Sequence, residues 1–147
     1  VTSASEMLKA VNDNISEQDI FISCAAVADY RPTNIAKNKI KKDRETVSID
    51  LVRNPDILSN ICQMKDKPVC IGFAAETENL LENAKNKLKN KGCDAIILND
   101  VSNSKIGLKS DQNEVFFITD KVCEKIEINS KIIIAKKLVI KISETLM

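Results

Sequence analysis

The amino-acid sequence predicts an α/β fold with three layers, in which helices cover both faces of a mainly parallel β-sheet. Two observations support this prediction. Short apolar runs that are typical of buried strands recur along the chain, and segments with helical periodicity separate them. Neighbouring parallel strands need such crossover helices, and these helices then bury the faces of the sheet. With 147 residues, the chain is long enough for one domain with a substantial core.

The beginning of the chain predicts a helix, a buried strand and a loop. Ser3 and Glu6 have the spacing of a capping box, which marks a helix N-terminus. Residues 19–24 (DIFISC) are almost entirely apolar and predict a buried strand. Residues 25–32 have no periodicity and end in a proline, so they predict a strand end that continues into a loop.

The next segment predicts a basic two-stranded arm followed by a helix. Residues 31–44 contain six basic residues and one acid. Residues 47–51 alternate apolar with polar side chains, which is the pattern of a strand with one solvated face. Asn54 and Pro55 then predict a helix that has Asn54 as its N-cap and Pro55 at its first position.

Residues 76–91 form the clearest predicted helix, with Thr77 as its cap and Gly92 as its C-terminal stop. Its lysines lie in the later turns, where the helix dipole favours positive charge. The remaining predicted elements are strands at 69–73 and 94–98, a hairpin at 114–119 and 122–128, and a final amphipathic helix at 130–146.

The composition excludes several classes of chemistry. Lys and Arg number 22 against 21 Asp and Glu, so the chain lacks the basic surplus that sequence-independent nucleic-acid binding requires. The absence of histidine excludes Ser-His-Asp and Cys-His catalysis and every His-ligated metal site. Three glycines cannot build a dinucleotide-binding fingerprint or a Walker loop, which argues against a dinucleotide-binding oxidoreductase.

The five cysteines lie mostly in apolar runs and include no C-x-x-C pair. Buried free thiols of this kind indicate a reducing compartment, and we expect a cytoplasmic protein. The longest apolar run is far too short to cross a bilayer, so we expect neither a membrane nor a nucleic acid as partner.

Six motifs give the sequence a more specific character. They are residues 25–32 (AAVADYRP), 39–42 (KIKK), 54–58 (NPDIL), 72–77 (GFAAET), 99–102 (NDVS) and 110–115 (SDQNEV). In these motifs and in their order, the chain resembles the phosphopantothenate–cysteine ligase family, usually the C-terminal half of a bifunctional bacterial coenzyme A biosynthesis protein. The resemblance implies a Rossmann-like fold with a protruding two-stranded arm that mediates dimerisation.

The family's reaction, as the resemblance implies, joins 4'-phosphopantothenate to cysteine at the expense of CTP. The carboxylate attacks the α-phosphate of CTP to give an acyl-cytidylate, and the amine of cysteine then displaces CMP. This chemistry needs Mg²⁺, cations around the phosphates and accurate positioning, but no protein nucleophile. The protein ligands of Mg²⁺ are not identified by the motifs, and FMN is expected only in a preceding decarboxylase domain.

The resemblance also implies a set of site residues. Lys39 corresponds to a lysine that binds the nucleotide and converts the acyl-cytidylate, whereas Lys41 and Lys42 would add positive charge. The positions that the resemblance places at the CTP are Ala25, Asp29, Lys39, Pro55, Asp56, Ile57, Leu58, Phe73, Lys87 and Lys91.

Each of these residues also has an ordinary structural interpretation. Asp29 can cap its own turn, and Phe73 can be a core aromatic residue. The lysine-rich stretch can be a solvated face, and residues 54–58 can be an ordinary capped helix start. Lys87 and Lys91 share one helix face because they are four residues apart, but they can also simply complement the helix dipole.

We expect residues 1–147 to form a single ligase domain that lacks the family's N-terminal strand and Gly-rich loop. Part of the phosphopantothenate site would then be missing, and the isolated chain would lack full activity. The alternative hypothesis is a non-catalytic module of the same fold that binds nucleotide or mediates dimerisation.

Overall fold

A five-stranded sheet forms the centre of the computed structural model, which describes residues 1–36, 38–41, 45–76, 78–100 and 110–147. A short 3-10 turn, Ile15–Glu17, follows the first helix. In chain order, the elements are α1 (Ala4–Asn14), β1 (Ile20–Ser23), β2 (Tyr30–Pro32), β3 (Leu51–Arg53), α2 (Ile57–Cys62), β4 (Val69–Glu76), α3 (Leu80–Lys91), β5 (Ala95–Asp100), β6 (Gln112–Ile118), β7 (Cys123–Ser130) and α4 (Lys131–Leu146).

The strand order in the sheet is β1-β4-β5-β6-β7. β1 pairs with β4, and β4 with β5, in parallel, whereas β6 is antiparallel to both β5 and β7. β1, β4, β5 and β7 therefore run in the same direction, and β6 runs against them. The predicted mainly parallel α/β fold and the predicted hairpin are both confirmed.

The two faces of the sheet bury different residues, because successive side chains of a strand point to opposite sides. On one face, Ile71 and Ile97 pack with Leu138 of α4. On the other face, Ile96 and Leu98 pack with Leu88 of α3. The smaller cluster beneath α1 and α2 includes Ile15, Leu58, Ile61, Cys62 and Cys70. The chain thus has the predicted three layers.

Several helix ends follow the predicted local chemistry. The Ser3 Oγ accepts a hydrogen bond from the Glu6 N–H (3.2 Å), and the Glu6 carboxylate accepts one from the Ser3 N–H (3.0 Å). Hydrogen bonds to this carboxylate, first those from Thr2 and then those from Ser3, lower the pKa of Glu6 to about 2. Gly92 ends α3 with φ +71°, a left-handed conformation that glycine adopts without strain.

Other predicted helix boundaries are wrong. The helix predicted from residue 76 starts only at Leu80, because β4 continues through Glu76 and Asn79 is the N-cap. Thr77, the predicted cap, lies outside the described residues. α2 has Asp56 rather than Asn54 as its N-cap, because the Asp56 carboxylate accepts a hydrogen bond from the Ser59 N–H (3.0 Å).

The predicted arm is only partly confirmed. Residues 30–32, predicted as loop, form β2 and pair antiparallel with β3. The strand predicted at 47–51 enters this ladder only at Leu51, and the side chains of Val47 and Ile49 are exposed. β2 and β3 therefore form the base of an arm, whose residues 37 and 42–44 lie outside the described residues.

Three of the five free cysteines are inside the protein. Cys62 and Cys70 are buried, Cys93 is partly buried, and the Sγ atoms of Cys62 and Cys93 are 3.9 Å apart. Burial, reinforced by the neighbouring Cys62, raises the pKa of both Cys70 and Cys93 to about 12. Cys24 and Cys123 are exposed, so the predicted burial holds for three of the five thiols.

Candidate functional site

The edge of β4 is open where β1 ends. The last residue of β1, Ser23, pairs with Gly72, whereas β4 continues to Glu76. Phe73 is the first residue of β4 beyond this pairing. Its ring is partly buried against the core under α4, and its carbonyl oxygen accepts a hydrogen bond of 2.8 Å from Lys87 Nζ. Two predicted site residues from separate elements, Phe73 of β4 and Lys87 of α3, are therefore in direct contact.

Lys91, the second predicted lysine of α3, forms an ion pair with Asp56 at the N-terminus of α2. The same carboxylate caps α2, so Asp56 interacts with two elements at once. Burial alone would raise the pKa of Asp56, but the hydrogen bonds from Lys91 and Ser59 and the charge of Lys91 outweigh burial and hold the pKa below its usual value. Asp56 thus supplies a fixed negative charge that orients Lys91.

Ile57 and Leu58 begin α2, and their side chains are buried. At these two residues only the backbone is therefore available to a ligand, through N–H groups that have no partner within the helix. Gly72 allows α2 to lie this close to the sheet, because a Cβ atom at Gly72 would stand 2.6 Å from the Leu58 Cδ2. Pro55 precedes this turn and is half-buried.

Asn54 links the Asp29 loop to the start of α2. The Asn54 N–H donates to the Asp29 carbonyl oxygen (2.7 Å), and Asn54 Nδ2 donates to the Ala28 carbonyl oxygen (2.8 Å). The Asp29 side chain itself is exposed. This cross-link was missed in the sequence, where the Asn-Pro pair indicated an N-cap instead.

Two predicted site residues remain separate from this group. Ala25 and Lys39 are exposed, and among the described residues neither forms a side-chain hydrogen bond or an ion pair with the others. Lys41 is exposed as well, and Lys42 lies outside the described residues.

Two asparagines near the end of the sheet also went unrecognised as site candidates. Asn99 Oδ1 and Asn113 Oδ1 are buried and have no hydrogen-bond partner among the described residues. Asn99 pairs with Val115 in the sheet, and Asn113 lies two residues before Val115 on β6, across a shift in the register with β7. Buried amide oxygens normally accept a hydrogen bond, so these two oxygens are candidate acceptors near the end of β5 and the start of β6. The signals in the sequence were that Asn99 begins the NDVS motif and that Asn113 lies in the SDQNEV motif.

Taken as a group, Phe73, Lys87, Lys91 and Asp56 bring α2, α3 and β4 together, with Asp29 joined to them through Asn54. The group contains two ammonium groups and one paired carboxylate, with helix N–H groups nearby. Such an arrangement suits a ligand that carries several phosphates.

Comparison with known proteins identifies the family of the chain. Residues 1–146 match the family described as the DNA/pantothenate metabolism flavoprotein C-terminal domain. The chain is 42% identical over 145 residues to the coenzyme A biosynthesis bifunctional protein CoaBC of Haemophilus influenzae, and the match covers 98% of this chain and 36% of that protein. It is 46% identical over 117 residues to CoaBC of Escherichia coli K12, which covers 77% of this chain and 29% of that protein.

Solved structures show the same fold. The crystal structure of the C-terminal domain of CoaBC superposes with a TM-score of 0.78 at 33% identity, covering 99% of this chain and 64% of that one. The DNA/pantothenate metabolism flavoprotein from Streptococcus pneumoniae gives a TM-score of 0.80 at 22% identity, covering 98% of this chain and 71% of that one.

The chain spans 36% of the length of the Haemophilus influenzae relative, so the comparison concerns one domain of that bifunctional protein. Within that domain, the match covers nearly the whole of this chain. The chain therefore belongs to the DNA/pantothenate metabolism flavoprotein C-terminal domain family, in agreement with the resemblance found in its motifs.

Proposed function

We propose that this chain is a phosphopantothenate–cysteine ligase domain of coenzyme A biosynthesis. It joins 4'-phosphopantothenate to cysteine through an acyl-cytidylate, uses CTP and acts in the cytoplasm. One observation carries the proposal: Lys87 contacts Phe73 and Lys91 contacts Asp56. The family resemblance assigned these four residues to one nucleotide from three separate sequence segments.

In this proposal, the two lysines of α3 exchange partners when CTP binds. The phosphates of CTP replace the Phe73 carbonyl and the Asp56 carboxylate as acceptors for the two ammonium groups. Lysine suits this exchange because its ammonium group is a point charge without directional demands. The backbone of residues 55–58 contacts the nucleotide, together with Ala25 and Asp29.

The proposed catalytic residue is Lys39. It neutralises the triphosphate and then the carbonyl oxygen of the acyl-cytidylate while cysteine attacks. Its exposed position in the arm leaves it available to a nucleotide on the same or a neighbouring subunit. Because the reaction needs orientation and charge stabilisation, a site without histidine is sufficient for it.

Mg²⁺ accompanies the nucleotide in the proposed reaction. The described ranges contain no group of three or more acidic or cysteine side chains arranged to hold a metal ion. This agrees with the usual behaviour of Mg²⁺, which is held by substrate phosphates, water and only one or two carboxylates. When bound, the ion would neutralise phosphate charge. FMN has no role in this domain and would belong to a preceding decarboxylase.

Exposed apolar side chains on the arm support the proposed homodimer. Tyr30, Val47, Ile49 and Leu51 are each more than half exposed. Such a patch is typical of a surface that a partner covers. In the proposed dimer, the arm reaches across the interface, as the family resemblance implies. A nucleic acid or a membrane is not part of the proposal, and none of the described helices is long and apolar enough to span a bilayer.

The first experiment measures CTP binding by calorimetry in Lys87→Ala and Lys91→Ala. We expect weaker binding in both variants, because each loses an ammonium group that contacts phosphate. Lys85→Ala and Lys89→Ala are matched controls, since both lysines are exposed on the same helix but make no contact with the predicted site. Equal weakening in the controls, or none in the variants, would contradict the proposal.

A turnover assay distinguishes the ligase hypothesis from the alternative of a non-catalytic module. Lys39→Gln is placed in a protein that also carries the family's front segment, and CMP, pyrophosphate and the ligated product are quantified. We expect normal folding and pyrophosphate release but little product, so that the acyl-cytidylate accumulates. CTP binding without any turnover in the unsubstituted protein would favour the alternative of a nucleotide-binding or dimerisation module.

A further inference from the structure

Asn54 stands between the two backbone segments that the proposed nucleotide site uses. One segment is the loop that ends at Asp29, and the other is residues 55–58, where α2 begins. Asn54 is half-buried and is not one of the residues proposed to contact CTP. Because it precedes Pro55 directly and its own polar groups bind the loop, Asn54 joins the two segments.

Three polar groups of Asn54 have partners. Its N–H donates to the Asp29 carbonyl oxygen (2.7 Å), and its Nδ2 donates to the Ala28 carbonyl oxygen (2.8 Å). Its Oδ1 accepts a hydrogen bond from Arg31 Nη1 (3.0 Å). A carboxamide offers a donor and an acceptor on separate atoms, and here each atom meets a group of the complementary kind. An asparagine at position 54 therefore fits these contacts rather than a capping role.

Arg31 holds the Asn54 side chain in this orientation. The same Nη1 also donates to the Arg53 carbonyl oxygen (2.9 Å), so the guanidinium bridges the last residue of β3 and the Asn54 side chain. Hydrogen bonds from a charged donor are stronger than those between neutral groups. The carboxamide cannot turn over without placing its own NH2 group against this donor, so Nδ2 stays directed at the loop.

These contacts leave the Asp29 side chain available. Asn54 binds only the backbone carbonyl groups of Ala28 and Asp29. The Asp29 carboxylate is exposed and forms no ion pair within the described parts of the chain. A group whose backbone is held in place before a ligand arrives loses less conformational entropy when it binds that ligand.

Asn14 makes the same kind of bond without joining two segments. Its Nδ2 donates to the Ala10 carbonyl oxygen, also at 2.8 Å, but both residues belong to α1 and are four positions apart. The bond from Asn54 Nδ2 instead joins residues 26 positions apart in the sequence. Asn14 is therefore a matched control for the loss of a side-chain amide that donates to a backbone carbonyl.

We propose that Asn54 is a positioning residue of the nucleotide site and that Arg31 acts through it. By holding the Asp29 loop against the start of α2, Asn54 sets the spacing between two segments that contact the same CTP. Asn54 does not itself touch the nucleotide in this proposal. The inference rests on the proposed function and deepens it, because it assigns the geometry of the site to residues outside the contact set.

The test compares CTP affinity, measured by calorimetry, with the free energy of unfolding, measured in urea. Asn54→Ala removes both side-chain hydrogen bonds without changing the charge of the protein. We expect about tenfold weaker CTP binding by the folded variant, the usual scale of one lost hydrogen bond. Asn14→Ala should leave CTP affinity unchanged. A residue that only stabilises the fold would lower the free energy of unfolding without changing the CTP affinity of the folded protein.

A double-mutant cycle on CTP affinity tests the part played by Arg31. If Arg31 acts through Asn54, Arg31→Ala should weaken CTP binding in the unsubstituted chain and should weaken it less in an Asn54→Ala background. A direct attraction between the guanidinium and the phosphates would give the same loss in both backgrounds. Additive effects would therefore overturn the role proposed for Arg31.

The outcomes also separate this inference from the proposed function. If the unsubstituted protein binds CTP and Asn54→Ala binds it equally well, the inference is overturned and the ligase proposal stands. Equal weakening in Asn14→Ala and Asn54→Ala would overturn the inference as well. An unsubstituted protein that does not bind CTP would contradict the proposed function and this inference together.

Discussion

Asp56 combines two interactions that usually belong to different residues. Its Oδ1 accepts a hydrogen bond from the Ser59 N–H and caps α2, while its Oδ2 pairs with Lys91 on α3. The cap fixes the start of α2, and the ion pair fixes one of the two lysines proposed to bind phosphate. A single side chain thus connects the stability of the fold with the geometry of the site.

Two substitutions at Asp56 separate these contributions. Asn caps helices as well as Asp does, so Asp56→Asn should lose only the ion pair, which solvent screening limits to about 0.5 kcal/mol. Asp56→Ala also loses the cap and should cost about 1 kcal/mol more in the free energy of unfolding. Urea unfolding at pH 7 measures both values, and equal values for the two variants would show that the cap contributes nothing.

The same pair has a defined pH dependence. Lys91 and Ser59 hold the pKa of Asp56 below its usual value, so the stabilisation is complete above the unfolded pKa of about 3.9. This stabilisation is lost as the pH falls through the lower pKa that Asp56 has in the folded protein. Asp56→Asn should remove the part of the acid-induced fall in the free energy of unfolding that Asp56 causes. The part caused by other carboxylates, such as Glu6, should remain.

At the scale of residues, the predicted site positions rest on motifs and spacing, whereas their contacts depend on packing. The four-residue spacing places Lys87 and Lys91 on one face of α3, and the structure brings them to Phe73 and Asp56. The ion pair between Lys91 and Asp56 joins residues 35 positions apart and depends on how α2 and α3 pack, so local pattern could not predict it.

At the scale of elements, the approach of α2 to the sheet depends on Gly72. A Cβ atom there would lie 2.6 Å from the Leu58 Cδ2 and 2.9 Å from the Ile96 Cδ1, distances that require a shift of packed core side chains. Such a shift would move the start of α2, where Asp56 and the backbone of the proposed nucleotide site lie.

Gly72→Ala should therefore lower the free energy of unfolding by about 1–3 kcal/mol through overpacking. If the contact with Leu58 is the cause, Gly72→Ala should cost less in a Leu58→Ala background than in the unsubstituted chain. A double-mutant cycle by urea denaturation measures the coupling between the two positions. Additive effects would contradict the proposed contact.

Helix ends were predicted with unequal success, for a physical reason. The Gly92 stop was correct because few residues other than glycine adopt its positive φ. The starts of α2 and α3 were wrong because Asn, Asp and Thr all cap helices, and several of them stand in each segment. Which one caps depends on where the preceding strand ends, and β4 runs three residues beyond its predicted end.

At the scale of the whole molecule, the arm leaves apolar side chains without cover. The alternating residues Val47, Ile49 and Leu51 were read as a strand with one buried face, yet all three are exposed in the single chain. An alternating pattern indicates that one face of a strand is buried. It does not indicate whether the same chain or a partner covers that face. The parallel sheet and three-layer order were predictable, because crossover helices between apolar strands allow few alternatives.

The proposed dimer predicts a specific effect of charge in the arm. Ile49→Asp should convert the dimer to a monomer, because it places a carboxylate in the apolar patch. Val139→Asp is the matched control, since Val139 on α4 is 61% exposed and Ile49 is 63% exposed. Sedimentation velocity measures the masses; a monomeric unsubstituted protein, or dissociation by both variants, would contradict an interface formed by the arm.

The distribution of the cysteines makes the natural sequence suitable for distance measurements. Cys24 directly follows β1, and Cys123 begins β7, so the two exposed thiols mark the opposite edges of the sheet. Four interstrand spacings separate these edges, about 19 Å in total before the length of the strands is added. The interior thiols of Cys70 and Cys93 are protonated at neutral pH and react slowly. A pair of spin labels can therefore span the sheet without any engineered cysteine.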